Sequence, residues 1–218
     1  FCSGWLIVSA GFTAYEMVTD PAAETAEAKF HKHPKHVSFA RDGVLGKYDK
    51  GQLQRGLKVY QEVCAACHSL GLVSFRDFSA MGYDEGQLKT LAKAWANPQK
   101  TFDPKTGDRG ERPNLISDKL PTVFYAGEGS PPDLSLMAKA RHNGPAYIYS
   151  LLNGYADAAT YKNEHGEALP KENRPGNGLY FNPYFANLNL SMAPPLTADG
   201  QVSFDDGTKS TKDQMAKD

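Results

Sequence analysis

The chain has 218 residues, of which 40% are hydrophobic, 24 are Lys or Arg and 25 are Asp or Glu, so its formal net charge is −1. This length is enough for one sizeable domain, or at most two small ones. The balanced charge gives no general electrostatic footprint for a polyanion, which excludes nucleic acid as a partner. Because the chain contains 20 Gly and 14 Pro, we expect short helices separated by long irregular connections.

Residues 1–18 form an apolar N-terminal segment that carries no charge before Glu16. Its apolar run of about fifteen residues is shorter than the roughly 20 that a membrane-spanning helix needs. We interpret it as the remnant of an export signal or as part of a membrane segment, with a buried segment of the domain as the third alternative. Either of the first two interpretations places the rest of the chain outside the cytoplasm or at a membrane.

Residues 19–40 are rich in Ala, Glu, Lys and His, and are predicted to be a linker or an arm. The histidines of HKHPKH, at 31–36, could instead bind a metal. However, Pro34 interrupts them and they lack the i, i+4 spacing of a helical site, which favours the linker. Residues 41–218 then form the predicted main domain.

Two helices are predicted in the first half of this domain. The first begins after Asp49, which has Gln52 three residues later, and its apolar periodicity runs into CAACH at 64–68. The second begins after Asp84 and ends by Asn97, because Pro98 follows. The connection at 100–131 is rich in Pro, Gly and charge and is predicted to be an ordered loop.

Two further helices are predicted between Asp133 and Asn143 and between Pro145 and Gly154, and another starts at Thr211. No segment shows the sustained alternation that is typical of a sheet. The fold class is therefore mainly α, with long inserted loops and little or no sheet.

The C-x-x-C-H pattern of Cys64, Cys67 and His68 is typical of covalent haem attachment. In such sites two thiols bond to the haem and the histidine becomes the proximal iron ligand. A structural zinc site would need four ligands, and the one other cysteine is Cys2. A redox dithiol is the third alternative, but it is expected near a βαβ pattern, which this sequence lacks.

If haem is bound, the sixth iron ligand decides the function, because a methionine raises the potential and closes the site whereas an open position allows ligand chemistry. Met192 is favoured, since Pro194 and Pro195 restrict the backbone that follows it. The alternatives are Met81, a histidine (His142 or His165) and an open site.

Several stretches in this order resemble the cytochrome c1 family, the haem c subunit of the cytochrome bc1 complex. They are QLQRGLKVYQEVCAACHSL, PPDLSLMAKARHNGPAYIYSLLNGY, GLYFNPYF with SMAPPL, and FDDGTKSTKDQMAKD. The resemblance implies a cytochrome c-like haem domain with one covalent haem c, anchored by Cys64 and Cys67. It further implies His68 and Met192 as the iron ligands, Arg141 as the partner of a haem propionate, and a haem pocket that includes Tyr147 and Pro132.

The resemblance also implies a redox subunit of ubiquinol:cytochrome c reductase that needs no catalytic acid or base of its own. Its partners would be cytochrome b, the Rieske iron-sulfur protein and an acceptor cytochrome c, in a dimeric complex. The last stretch resembles the segment before a C-terminal membrane anchor, with the domain in the bacterial periplasm or the mitochondrial intermembrane space. A c-type electron carrier of another pathway and a haem gas sensor or peroxidase are the alternative functions.

Overall fold

The computed structural model describes residues 24–218. The predicted apolar segment, residues 1–18, and the start of the predicted arm lie outside the described residues. Within residues 24–218 the helices are α1 (Ala26–Phe30), α2 (Lys50–Glu62), α3 (Glu85–Ala94), α4 (Met137–Ala140), α5 (Gly144–Leu152) and α6 (Lys212–Lys217). Three 3₁₀ helices lie at Cys64–Ala66, Phe75–Met81 and Lys171–Asn173.

Two small antiparallel sheets complete the secondary structure of the described residues. Strands β1 (Gln99–Phe102) and β2 (Arg109–Arg112) form a hairpin, and β3 (Tyr180–Phe181) pairs with β4 (Asn189–Leu190). The prediction of a mainly helical fold with little sheet is therefore confirmed. In residues 24–218, none of the helices combines the length and the apolar character needed to cross a membrane.

Helix α2 begins where its capping residue predicts. The carboxylate of Asp49 accepts a hydrogen bond from the backbone N–H of Gln52 at 3.2 Å, which satisfies one of the free donors of the first turn. The helix then contributes Leu57 to one apolar core and Val59 to another. It is thus packed on two sides along the turns that lead to Cys64.

Three apolar cores are present among the described residues. The first joins α2 to α3 and to the 3₁₀ helix Phe75–Met81, and its buried members are Leu57, Phe75, Phe78, Leu88, Ala92, Trp95 and Leu120. The second joins α2 to α5, α6 and the segment before α6 through Val59, Leu196, Val202, Phe204, Met215 and Ala216, with Val63, Tyr149 and Leu152 against them. The third consists of Phe30, Ala158, Leu169, Phe181 and Leu188.

The described part of residues 19–40 lies against the rest of the chain. Phe30, at the end of α1, is buried in the third core. The backbone N–H of Lys32 donates to the carbonyl of Pro183 at 2.7 Å, and that of Lys35 donates to Ser150 Oγ at 2.8 Å. These contacts hold the segment beside the strands and α5.

Two local predictions were wrong. The connection at 100–131 contains the β1–β2 hairpin, whose residues are mostly exposed and so lack the apolar alternation that would reveal a strand. No α-helix starts at Asp133: its carboxylate accepts from the N–H of Gly71 at 2.7 Å and of Ser135 at 2.8 Å, and the helix runs only over Met137–Ala140. The carboxylate of Asp133 thus binds the distant Gly71, although the sequence predicted that Asp133 starts a helix.

An ion cluster fixes the end of the described chain to α2. It consists of Arg55, Asp206 and Asp218. Arg55 Nε lies 2.7 Å from Asp218 Oδ2, and Arg55 Nη1 lies 2.7 Å from Asp206 Oδ2. The Asp218 side chain is fully buried. Gly56 allows this approach, because a Cβ there would lie 2.3 Å from the carbonyl oxygen of Asp218.

We expect Arg55→Met to lower the free energy of unfolding by about 3 kcal/mol, because it leaves the buried carboxylate of Asp218 without its charged partner. The matched control is Lys58→Met on the same helix, whose partner Asp205 is 88% exposed. The control should lower stability much less, because water and salt screen an exposed ion pair. Denaturant unfolding followed by circular dichroism measures both values, and equal losses would contradict the assignment.

The ion cluster also predicts a dependence of stability on pH. The pKa of Asp206 is lowered from 3.8 to about 2, first by the backbone N–H of Thr208 and then by Arg55. A lowered folded-state pKa stabilises the fold above the ordinary value, and this stabilisation is lost as the pH falls toward 2. The difference in unfolding free energy between the native protein and Asp206→Asn should therefore shrink between pH 5 and pH 2; a constant difference would refute this.

Candidate haem-binding site

The attachment turn follows directly from α2. A 3₁₀ turn, Cys64–Ala66, continues the helix, and the N–H groups of Cys67 and His68 both donate to the carbonyl of Cys64, at 3.1 and 2.9 Å. Cys64 and Cys67 are free thiols and are partly buried. The turn thus presents both thiols and the imidazole from one compact piece of backbone.

The protonation of Cys64 argues against a redox dithiol. Burial, with a smaller contribution from Cys67, raises the pKa of the Cys64 thiol to about 11. Reactive cysteines of redox motifs have the opposite shift, because the thiolate is the nucleophile. Cys64 therefore lacks the electrostatic environment of a redox site.

The imidazole of His68 has a defined orientation and tautomer. His68 Nδ1 lies 2.8 Å from the carbonyl oxygen of Pro132. Because a carbonyl only accepts hydrogen bonds, Nδ1 carries the hydrogen and the lone pair is on Nε2. Histidine ligands of metals commonly donate their other N–H in this way, so Nε2 of His68 is prepared to bind iron.

Tyr60 supports His68 from within α2. Its hydroxyl donates to the backbone carbonyl of His68 at 2.8 Å, and its ring stacks on Trp95 with the centroids 6.3 Å apart. Sequence reasoning missed this residue. Its place on the apolar face of α2 marks it as a core side chain, and nothing in the motif indicates the hydrogen bond.

A set of hydrogen bonds joins the segment after His68 to the segment after Pro132. The N–H of Leu134 donates to the carbonyl of Ser69 at 2.9 Å, and the N–H of Leu72 donates to Ser135 Oγ at 3.0 Å. The bond from Gly71 to Asp133 extends the same contact. The carbonyl that orients His68 is therefore held in place by the contacts of the three residues that follow Pro132.

Met192 lies in a loop that is held by Tyr155. The Tyr155 hydroxyl donates to the backbone carbonyl of Met192 at 3.0 Å. Burial, together with the nearby hydroxyls of Tyr147 and Tyr180, raises the pKa of Tyr155, so this hydroxyl stays protonated and able to donate. Nothing in the sequence singles out Tyr155 or indicates this contact.

The other candidates for the sixth ligand have different surroundings. Met81 packs against the first core, and its carbonyl accepts from Gln54 Nε2 at 2.9 Å. His142 and His165 are exposed, and His165 lies in a turn in which its N–H donates to Asn163 Oδ1 at 3.0 Å. Met192 differs from His142 and His165 in its partly buried side chain, and from Met81 in lying in a loop and not at the end of a 3₁₀ helix.

Arg141 lies just before α5, and Tyr147 lies in the first turn of α5. Arg141 is exposed, and its guanidinium donates only to the neighbouring Ala140 carbonyl, at 3.2 Å, with no ion pair to any acidic side chain among residues 24–218. Tyr147 is half-buried on α5, near the Tyr155 hydroxyl. A guanidinium that has no acidic partner within residues 24–218 suits a carboxylate ligand, since a bidentate pair has the geometry that Arg favours.

The residues present fit a covalently bound haem. Within residues 24–218 the two thiols form no disulfide, the His68 ring is oriented by one hydrogen bond, and Met192 lies in a loop held by another. In the described part of the chain, no cluster of three or more His, Cys, Asp or Glu side chains is arranged to hold a bare metal ion. If His68 and Met192 both bind the iron, their donor set of one imidazole and one thioether is that of an electron-transfer haem.

Residues 39–218 match the sequence profile of the Cytochrome C1 family. The chain belongs to this family. It is 40% identical over 212 residues to cytochrome c1 of Rhodospirillum rubrum, an alignment that covers 90% of this chain and 75% of that protein. It is 37% identical over 207 residues to cytochrome c1 1, heme protein, mitochondrial, of Arabidopsis thaliana, with 90% of this chain and 62% of that protein covered.

A third relative is named for the complex in which it works. The chain is 34% identical over 222 residues to the cytochrome b-c1 complex catalytic subunit, mitochondrial, of Candida albicans, with 97% of this chain and 71% of that protein covered. The resemblance found in the separate sequence stretches is confirmed by these matches along most of the chain.

We expect Tyr155→Phe to lower the free energy of unfolding by about 1 kcal/mol, because the Met192 carbonyl loses its donor. The matched control is Tyr161→Phe, since the buried Tyr161 hydroxyl has no hydrogen-bond partner among the described residues. The control should leave stability unchanged or slightly increase it. Thermal unfolding of both haem-loaded variants checks this, and a larger loss in the control would contradict the assigned role of Tyr155.

Proposed function

We propose that the protein is the electron-transfer subunit of a membrane ubiquinol:cytochrome c reductase. In this role it passes single electrons from the Rieske iron-sulfur protein to a cytochrome c. The proposal rests on membership of the cytochrome c1 family and on one observation above all. The His68 imidazole is fixed by the Pro132 carbonyl with Nε2 free, directly beside the two thiols of the C-x-x-C-H turn.

Each site residue has a proposed part in holding haem c. Cys64 and Cys67 would hold the group through thioether bonds, and His68 and Met192 would bind its iron. Arg141 would pair with a propionate, while Tyr147 and Pro132 would line the pocket. When bound, haem c supplies a one-electron iron couple, whose potential the protein sets through these ligands and through the burial of the site.

No catalytic acid, base or nucleophile is required of this chain. Electron relay needs a fixed iron ligation, exclusion of water and surfaces for two redox partners. The hydrogen bonds around His68 and Met192 serve the first requirement, because they fix the backbone that carries each ligand. The protein contributes to the oxidoreductase reaction as a redox subunit of the complex.

We further propose that the chain works beside cytochrome b in a dimeric complex and that a C-terminal segment anchors it to the membrane. The stretch FDDGTKSTKDQMAKD supports this, since it resembles the segment that leads into the family's anchor. The haem domain then lies on the periplasmic side of a bacterial inner membrane or in the mitochondrial intermembrane space. Relatives of both bacterial and mitochondrial origin are consistent with either location.

We expect Met192→Leu to leave the haem covalently attached but to lower its reduction potential by on the order of 100 mV, within the about 0.8 V range that axial ligands span. Turnover of ubiquinol by the complex should fall with it. The matched control is Met81→Leu, which replaces a methionine that packs against the first core. Potentiometric titration of the purified complex measures both variants.

Two results of this titration would contradict the assignment of Met192. An unchanged potential in Met192→Leu, or a comparable drop in Met81→Leu, would exclude Met192 as the ligand.

Purification of the native protein provides the second test, because a subunit of the reductase should be recovered together with a b-type cytochrome and a [2Fe–2S] protein. Recovery as a single haem protein without them would overturn the proposed function.

A further inference from the structure

The loop before α2 exposes apolar side chains to an unusual degree. At its tip, Val44 and Leu45 are 102% and 91% exposed, and Tyr48 is 63% exposed. Single exposed apolar residues are common on protein surfaces, but two adjacent ones with almost no protein contact at one loop tip form a local apolar projection.

The loop has a defined conformation that keeps this tip away from the protein. The N–H of Lys47 donates to the carbonyl of Ala40 at 3.1 Å, and the Asp42 carboxylate accepts from the N–H of Phe39 at 2.7 Å. Gly43, with φ at +82°, provides the left-handed turn that a residue with a side chain would disfavour. The exposure of the tip is therefore a property of an ordered turn.

The base of the loop has the composition of a membrane interface. The Arg41 guanidinium lies 5.4 Å from the centre of the Phe39 ring and 5.6 Å from that of Tyr48. Lys47 adds a second cation and forms no ion pair among the described residues. Aromatic rings and long basic side chains that flank an apolar tip are typical of segments that rest at the headgroup level of a bilayer.

The loop also lies beside the end of the described chain. Gln52, in the first turn of α2, donates from Nε2 to the carbonyl of Lys217 at 3.0 Å. A groove is lined by Phe39, Arg41 and Tyr48 from the loop and by Lys217 and Asp218 from the C-terminal segment. The base of the loop and the segment that the proposed function places at the membrane therefore line the same groove.

We infer that the loop of residues 41–48 inserts Val44 and Leu45 into the interface of the lipid bilayer, as a second membrane contact. The inference rests on the proposed function, which places the C-terminal segment at the membrane. The loop carries Arg41 and Lys47 against Asp42, so its charge is nearly balanced. Insertion therefore depends on apolar burial, and it should persist in bilayers of phosphatidylcholine alone.

The test uses the complete complex in phosphatidylcholine nanodiscs with a nitroxide label at Leu45→Cys, in a background in which Cys2 is replaced by Ser. Power-saturation electron paramagnetic resonance compares the access of oxygen, which concentrates in lipid, with that of a water-soluble nickel chelate. The matched control is a label at Phe102→Cys on the β1–β2 hairpin, where the native side chain is 61% exposed. We expect the label at 45 to favour oxygen and the label at 102 to favour nickel.

Each result is decisive for the loop. A label at 45 that favours nickel would show that the tip is in water, and a label that neither reagent reaches would show that a protein surface covers it; both would overturn the inference. The presence of cytochrome b in the same preparation reports separately on the proposed function. If cytochrome b is present and the label favours nickel, the loop inference fails alone. If cytochrome b is missing from membrane-bound protein, the proposed function fails, and a label that favours oxygen still supports insertion.

Discussion

The hydrogen bond from His68 Nδ1 to the carbonyl of Pro132 joins two parts of the chain that are 64 residues apart. A histidine on a short turn after a helix would otherwise rotate about its side-chain bonds and lose entropy when it binds a ligand. Here the rotation is already restricted, and the tautomer is fixed by an acceptor that has no hydrogen to give. The hydrogen bonds at Ser69, Gly71 and Leu72 join the same two segments, so they also hold the Pro132 carbonyl against the imidazole.

The opposite half of the site is positioned through α5. Tyr149 and Leu152 pack against the second core, which also contains Val59 of α2. Tyr147, on the same helix, is near the Tyr155 hydroxyl that holds the loop of Met192. Helix α5 therefore contacts both the core that it shares with α2 and the tyrosine that holds the loop of Met192.

The sequence was informative at the helix starts and at the attachment turn, where the determinant is local. The starts of α2, α3 and α6 were predicted because a cap and the N–H that it accepts are three residues apart. The attachment turn was recognised from five consecutive residues. Prediction failed where the hydrogen-bond partner is distant in sequence, as for Asp133. It also failed where the group involved is a backbone carbonyl, as in Pro132, because every residue has one. The roles of Tyr60 and Tyr155 were hidden for a related reason, because a tyrosine among apolar residues is the same in sequence whether or not its hydroxyl finds an acceptor.

The contact between Gly56 and Asp218 has a mechanical consequence. From Gly56 to Cys64 is eight residues, or about 12 Å along a helix, so a tilt of about 5° at the contact would move the attachment turn by about 1 Å. Helix α2 would then pivot at the point where the end of α6 contacts it, at Gly56. With no side chain at position 56 and a buried ion pair at position 55, this joint has little freedom. We therefore expect a change in the direction of α6 to tilt α2 and to displace the two thiols of the attachment turn.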